Sequence, residues 1–166
     1  MAGPSHFTPE LVDDEFVEGE IIMAEPLKAC EETLKNEEQV RGKILVAERG
    51  ECTFVSKARL AQKSGALALI VCDNVPGSSG ETQPMFAMSG DGNNDVKIPV
   101  VFMYSQEFSK LSSVMQRKPN LKVRLMQMIE FKRWQLSKET KANETATEAM
   151  TTATPATKKS KPDKEL

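Results

Sequence analysis

The spacing of apolar and polar positions changes several times between residues 42 and 127, and each change predicts an element. Lys43 to Ala47 is a short apolar run that begins just after Gly42 and reads as a buried strand. From Thr53 to Ser64 the period lengthens to that of a helix. Phe54, Ala58 and Ala61 share one face there, while Ser56, Lys57 and Lys63 fall elsewhere. Thr53 is suited to the N-cap and Gly65 to the terminating position. Ala66 to Cys72 is apolar throughout, as expected of a strand covered on both faces. Strand, helix and strand make a βαβ unit, which should cross over right-handed.

Asp73 to Gly80 is rich in turn formers (Asn74, Pro76, Gly77, Ser78, Ser79) and reads as a loop. Ile98 to Tyr104 is a third strand, with Pro99 tolerated near its start. Ser105 is placed to cap a second helix with apolar positions Phe108, Leu111 and Met115, stopped by Pro119. Leu121 to Leu125 alternates strictly and predicts a half-exposed strand, and Glu20 to Ala24 a further short one. From about Ser137 large apolar residues nearly vanish, so a disordered tail is expected. The chain therefore divides into a flanking segment (1–19), a domain (20–127), an unassigned extension (128–136) and the tail (137–166).

Composition narrows the function. With 166 residues, 39% hydrophobic and 28% charged, there is room for one ordinary domain and a polar segment. A net charge of -2 creates no strong field toward nucleic acid or an anionic membrane, and 5% aromatic content is poor for base stacking. No run approaches the roughly 18 apolar residues that cross a bilayer. Met1 to Phe7 leads into acidic Asp13, Asp14 and Glu15, unlike a secretory signal, which taken alone points to the cytosol.

Candidate chemistry is sparse. Cys30, Cys52 and Cys72 form no C-x-x-C pair and His6 is the only histidine, so no metal site is expected; two cysteines can pair and leave one free. Asp91, Asn93 and Asp95 match the first ligands of an EF-hand loop. Val96 then replaces its glycine and Phe102 its glutamate, which leaves a solvated loop able to form a binding rim. Gly77 to Gly80 lacks the Gly-Lys-Ser/Thr of a phosphate loop. With His6 isolated and no carboxylate pair distinguished, no catalytic residue is assigned and the chain reads as a non-enzyme.

Gly42 to Ala47, then Arg49, Gly50, Cys52, Phe54, Lys57 and Ala58, resemble the core signature of PA (protease-associated) domains. Gly65, Ala66, Ile70 and Val71 continue it, followed by Ser89 to Asp95 and Ile98 to Val101. The match runs in family order over somewhat more than a third of the chain. Ala2 to Leu11, Ala24 to Cys30 and the Gly90-Asp91-Gly92 loop are similar to the PA region of ER degradation-enhancing alpha-mannosidase-like proteins. In that family the PA domain follows a glycoside hydrolase family 47 catalytic domain.

The resemblance implies an α/β fold of PA type: a mixed, partly closed β-sheet with two main helices, plus the disordered C-terminal tail. It implies a non-catalytic binding or accessory module in glycoprotein quality control and ER-associated degradation, within the endoplasmic reticulum lumen. No cofactor is expected in this chain, although the parent family's catalytic domain would use calcium. On this reading the chain is a fragment, a truncated gene model or a short isoform. The implied partners are misfolded glycoproteins or ER quality-control proteins and an ER-retrieval receptor, with no nucleic acid and no membrane span. A free-standing secretory-pathway PA protein or a cargo-sorting receptor fragment is the competing reading.

The same resemblance implies a disulfide between Cys30 and Cys52, against the alternative of two free buried thiols, with Cys72 a small core residue. Asp163, Lys164, Glu165 and Leu166 approximate the Lys-Asp-Glu-Leu retrieval signal with two residues exchanged; the alternative is an ordinary charged tail. Asn143 begins a glycosylation sequon. Candidate binding residues lie in loops 74–84 and 89–97: Ser78, Ser79, Glu81, Asp91, Asn93, Asn94 and Asp95.

Overall fold

A computed structural model of the chain describes residues 2–3, 5–8, 11, 15–84 and 86–126. The extension, the tail, the Asn143 sequon and the Asp163 to Leu166 end lie outside the described residues. The elements are β1 (Ala2–Gly3), β2 (Phe16–Met23), α1 (Glu37–Val40), β3 (Ile44–Glu48), α2 (Phe54–Lys63), β4 (Ala68–Cys72), β5 (Val100–Met103), α3 (Ser105–Arg117) and β6 (Lys122–Met126). They form a mixed sheet in the order β1-β5-β4-β3-β2-β6. The four inner strands are mutually parallel, and β1 and β6 are antiparallel edges. The expected mixed sheet with two main helices is what the chain forms.

Strand periodicity explains the two-sided core. Leu45 and Ala47 of β3, Leu69 and Val71 of β4, and Val100 and Phe102 of β5 join Val55, Ala58 and Ala61 of α2 in one cluster. The alternate residues Ile44, Val46, Ala68, Ile70 and Cys72 form a second cluster. Phe108, Leu111 and Met115 of α3, with Val123 and Leu125 of β6, pack on that second face. Central β3 and β4 are therefore apolar on consecutive residues because both of their faces are covered.

Local signals set the ends of α2. The Thr53 hydroxyl accepts from the Ser56 N–H at 3.1 Å, satisfying one orphan donor of the first turn. Gly65 follows the helix with φ +77°, a conformation that costs a side-chain-bearing residue energy.

Three expectations are corrected. Lys57 does not point outward: it is 0% exposed, because the Lys28 and Gly50 carbonyls accept from its ammonium inside the domain. Ser105 is the first residue of α3, not its cap, and Tyr104 occupies the cap position without a side-chain hydrogen bond. The cap comes from the loop, where the Ser78 hydroxyl accepts the Ser105 N–H at 3.1 Å. Finally, the strand expected at Glu20 to Ala24 starts at Phe16, because β6 pairs along it from Phe16–Met126 to Glu20–Lys122. The amino-terminal residues also join the domain, with Phe7 buried in the first cluster and the His6 N–H donating to the Met88 carbonyl at 3.0 Å.

Candidate functional site

Parallel strands in register bring their following residues together. Glu48 lies opposite Cys72, and Cys72 opposite Met103. Arg49, Asp73 and Tyr104, each the first residue past its strand, therefore emerge side by side at the carboxyl edge, where parallel sheets commonly bind ligands. They line a cleft of about 490 Å³ together with Val75, Pro84 and Phe86. Arg49 Nη1 lies 3.2 Å from Asp73 Oδ1, and this pair neutralises a carboxylate that is nearly sealed from water. The guanidinium carbon also sits 5.1 Å from the Phe86 ring centre, within cation–π range. Phe86, Phe102 and Tyr104 form an aromatic row with centroid separations of 4.7 and 5.2 Å. The Tyr104 hydroxyl donates to the Pro84 carbonyl at 2.5 Å, and Val75 stands exposed. The result is an apolar cleft with one neutralised charge pair, suited to an apolar group beside a hydrogen-bond acceptor.

The turn that carries Arg49 is strapped from below. Cys30 and Cys52 are disulfide-bonded, 22 positions apart, as the resemblance implied. Closing a loop of that length contributes roughly 3 kcal/mol by chain-entropy reasoning. Lys57 reaches this bridge from α2. Its ammonium donates to the Gly50 carbonyl at 2.8 Å and to the Lys28 carbonyl, and lies 3.1 Å from Cys30 Sγ and 3.5 Å from Cys52 Sγ. Burial, and then the neighbouring Lys28 ammonium, push the Lys57 amine below its ordinary range. Lys28 in turn donates to the Arg49 carbonyl at 2.9 Å and pairs with Glu48 at 3.2 Å. Cys72 is a buried free thiol, pushed up to about 11 by burial and then by the Glu48 charge.

The residues proposed from sequence for binding separate into two groups. Ser78 and Ser79, expected on a loop surface, are each 2% exposed and serve as struts to α3. Ser79 donates to Glu107 Oε1 at 2.8 Å. Burial would raise the Glu107 carboxyl, but the Ser79 hydrogen bond and backbone N–H groups outweigh it and hold the carboxyl low. Glu81 is exposed, with its N–H bonded to Ser79 Oγ. Asp91, Asn93, Asn94 and Asp95 are exposed as expected. Asp91 and Asp95, however, clasp Arg59 of α2, with contacts of 2.8 Å to Asp91 and of 2.6 and 2.7 Å to Asp95. The Arg59 hydrogen bond holds Asp91 down to about 2 and lowers Asp95 as well. Both carboxylates of the abandoned calcium pattern are thus engaged by a cation the protein already supplies. The sequence reading missed Arg49, Asp73, Phe86 and Tyr104. The available signal was positional: Asp73 directly follows its predicted strand, and Arg49 and Tyr104 lie within two residues of the ends of theirs.

The PA domain family model matches residues 17–111. This chain belongs to the PA domain family. The PA domain is 43% identical over 110 residues to human ER degradation-enhancing alpha-mannosidase-like protein 3, covering 65% of this chain and 12% of that protein. The Xenopus laevis protein of the same name is 41% identical over 109 residues, covering 64% and 12%. The chain thus spans only 12% of the length of these relatives. Among solved structures, BSAP, a zinc aminopeptidase from Bacillus subtilis, superposes with a TM-score of 0.54 at 24% identity, covering 68% of this chain and 25% of that one. That likeness concerns the fold alone.

Proposed function

We propose that this PA domain is a non-catalytic accessory module of an ER-lumenal mannosidase-like protein, acting in glycoprotein quality control. The observation that carries this reading is the 43% identity over 110 residues to a protein named for ER degradation enhancement. The cleft at the carboxyl edge supplies a place for such a module to hold a protein segment. An apolar side chain of an unfolded glycoprotein would enter beside Val75 and Phe86, and a neighbouring carbonyl would accept from Arg49. The exposed Asp91 to Asp95 loop is a second contact surface, while Ser78 and Ser79 are withdrawn from it. No cofactor is invoked. Retrieval through Asp163 to Leu166 and glycosylation at Asn143 belong to the same reading.

Titration of the isotopically labelled chain with a reduced, unfolded high-mannose glycoprotein tests it. Amide shifts at Arg49, Phe86 and Tyr104, lost in Phe86→Ala and absent with the folded glycoprotein, are expected. Equal shifts with both forms, no shift at the cleft, or release of mannose by the chain alone would sink the reading.

A further inference from the structure

A lysine that merely braces a turn needs carbonyl acceptors, and Lys57 has two. It also lies against both sulfurs of a disulfide, fully buried. Among the described residues no carboxylate lies within ion-pairing distance of its ammonium. The charged groups nearby are Lys28, which opposes the ammonium, and Glu48 and Glu51, which favour it from farther off. A buried cation with no buried anion is an unfavourable arrangement. The nearest atoms able to become an anion are the bridge sulfurs themselves, and they do so only on reduction.

We propose that the Cys30–Cys52 bridge is a thiol–disulfide exchange site, in which Lys57 receives the departing Cys30 sulfur as a thiolate. The co-reactant is a dithiol, such as the paired cysteines of an oxidoreductase. Its thiolate attacks Cys52 Sγ, the sulfur farther from the ammonium, and the electron pair of the S–S bond leaves on Cys30 Sγ. A mixed disulfide forms at Cys52. The second sulfur of the dithiol then attacks its own partner sulfur and releases Cys52, which is protonated. The dithiol is oxidised to a disulfide and the bridge is reduced by two electrons. Of the two dithiol protons, one ends on Cys52 and one enters solvent, because Cys30 stays ionised beside Lys57. Both cysteines are only half-buried, so the bridge is not sealed from a reactant. Exchange here does not depend on what the cleft binds.

The consequence is local. The bridge, Lys57 and Lys28 together fasten the turn from Arg49 to Cys52, so reduction loosens the anchorage of Arg49 at the cleft.

The experiment equilibrates the chain with glutathione buffers of graded ratio, quenches it with acid, and counts alkylated thiols by mass spectrometry. Lys57→Met should make the bridge about tenfold harder to reduce, since losing an ammonium beside a thiol raises the thiol pKa by about one unit. An unchanged midpoint would overturn the proposal. Should that variant fail to fold, reduced wild-type protein still decides. Its thiolate absorbance should show one group ionising well below the ordinary thiol range, with Cys72 silent there because burial raises it. Ordinary titration of both bridge thiols, or unfolding on reduction, would equally overturn it.

Discussion

Helices α2 and α3 cover opposite faces of one sheet and are held there in different ways. The shorter α2, ten residues long, buries Val55, Lys57, Ala58, Leu60 and Ala61. The longer α3, thirteen residues, buries none of its side chains fully. Small Ala58 and Ala61 let the backbone of α2 come close to the strands, so its remaining face is sealed. Phe108, Leu111 and Met115 hold α3 on its face by long side chains that stay half-buried. The caps differ as well, since α2 uses its own Thr53 whereas α3 borrows Ser78 from a loop 27 residues away. Helix length therefore says little about anchorage; the size of the residues on the inner face says more.

The contrast can be broken most forcefully by matched truncations. Leu60→Ala should cost about 2–5 kcal/mol, as large-to-small changes in closed cores do. Leu111→Ala should cost only about 1 kcal/mol, because water already reaches part of that side chain. Urea denaturation measures both, and equal losses would mean the two faces are equally sealed. A smaller effect tests the caps. Thr53→Ala and Ser78→Ala should each cost about 1 kcal/mol, the usual worth of an N-cap hydroxyl. Only Ser78→Ala should speed hydrogen exchange at the start of α3, despite its distance along the chain.

The smallest effect concerns the outer side of α2, where Arg59 holds the 91–97 loop. Asp91 has a folded pKa of about 2 against an ordinary 3.8, so its contribution is present above 3.8 and lost as pH falls toward 2. Hydrogen exchange in the loop, corrected for intrinsic rate, should rise across that window while α2 stays protected. Asp91→Asn should remove this step while leaving the helix protected.

Much of the fold was legible along the chain. Runs such as Ile44 to Ala47 and Ala68 to Cys72 announce covered strands, and Thr53 with Gly65 brackets α2 within a residue of its ends. These signals are local, because strand and helix periods depend on neighbours two to four positions away. The site was less legible. Arg49, Asp73 and Tyr104 lie far apart in sequence and meet only once β3, β4 and β5 take their places in the sheet.

Lys57 marks the boundary most sharply. By charge it belongs in water, although its spacing of three from Phe54 and four from Ala61 sets it along the inner face of α2. Its ammonium is buried because Lys28, Cys30, Gly50 and Cys52 are assembled around it from two other segments, offering carbonyls and sulfurs at hydrogen-bond distance. The sequence by itself determined the central strands, the two main helices, the caps of α2 and the family. Only the tertiary structure decided which polar groups turn inward, since a buried donor is tolerated where acceptors from elsewhere in the chain meet it.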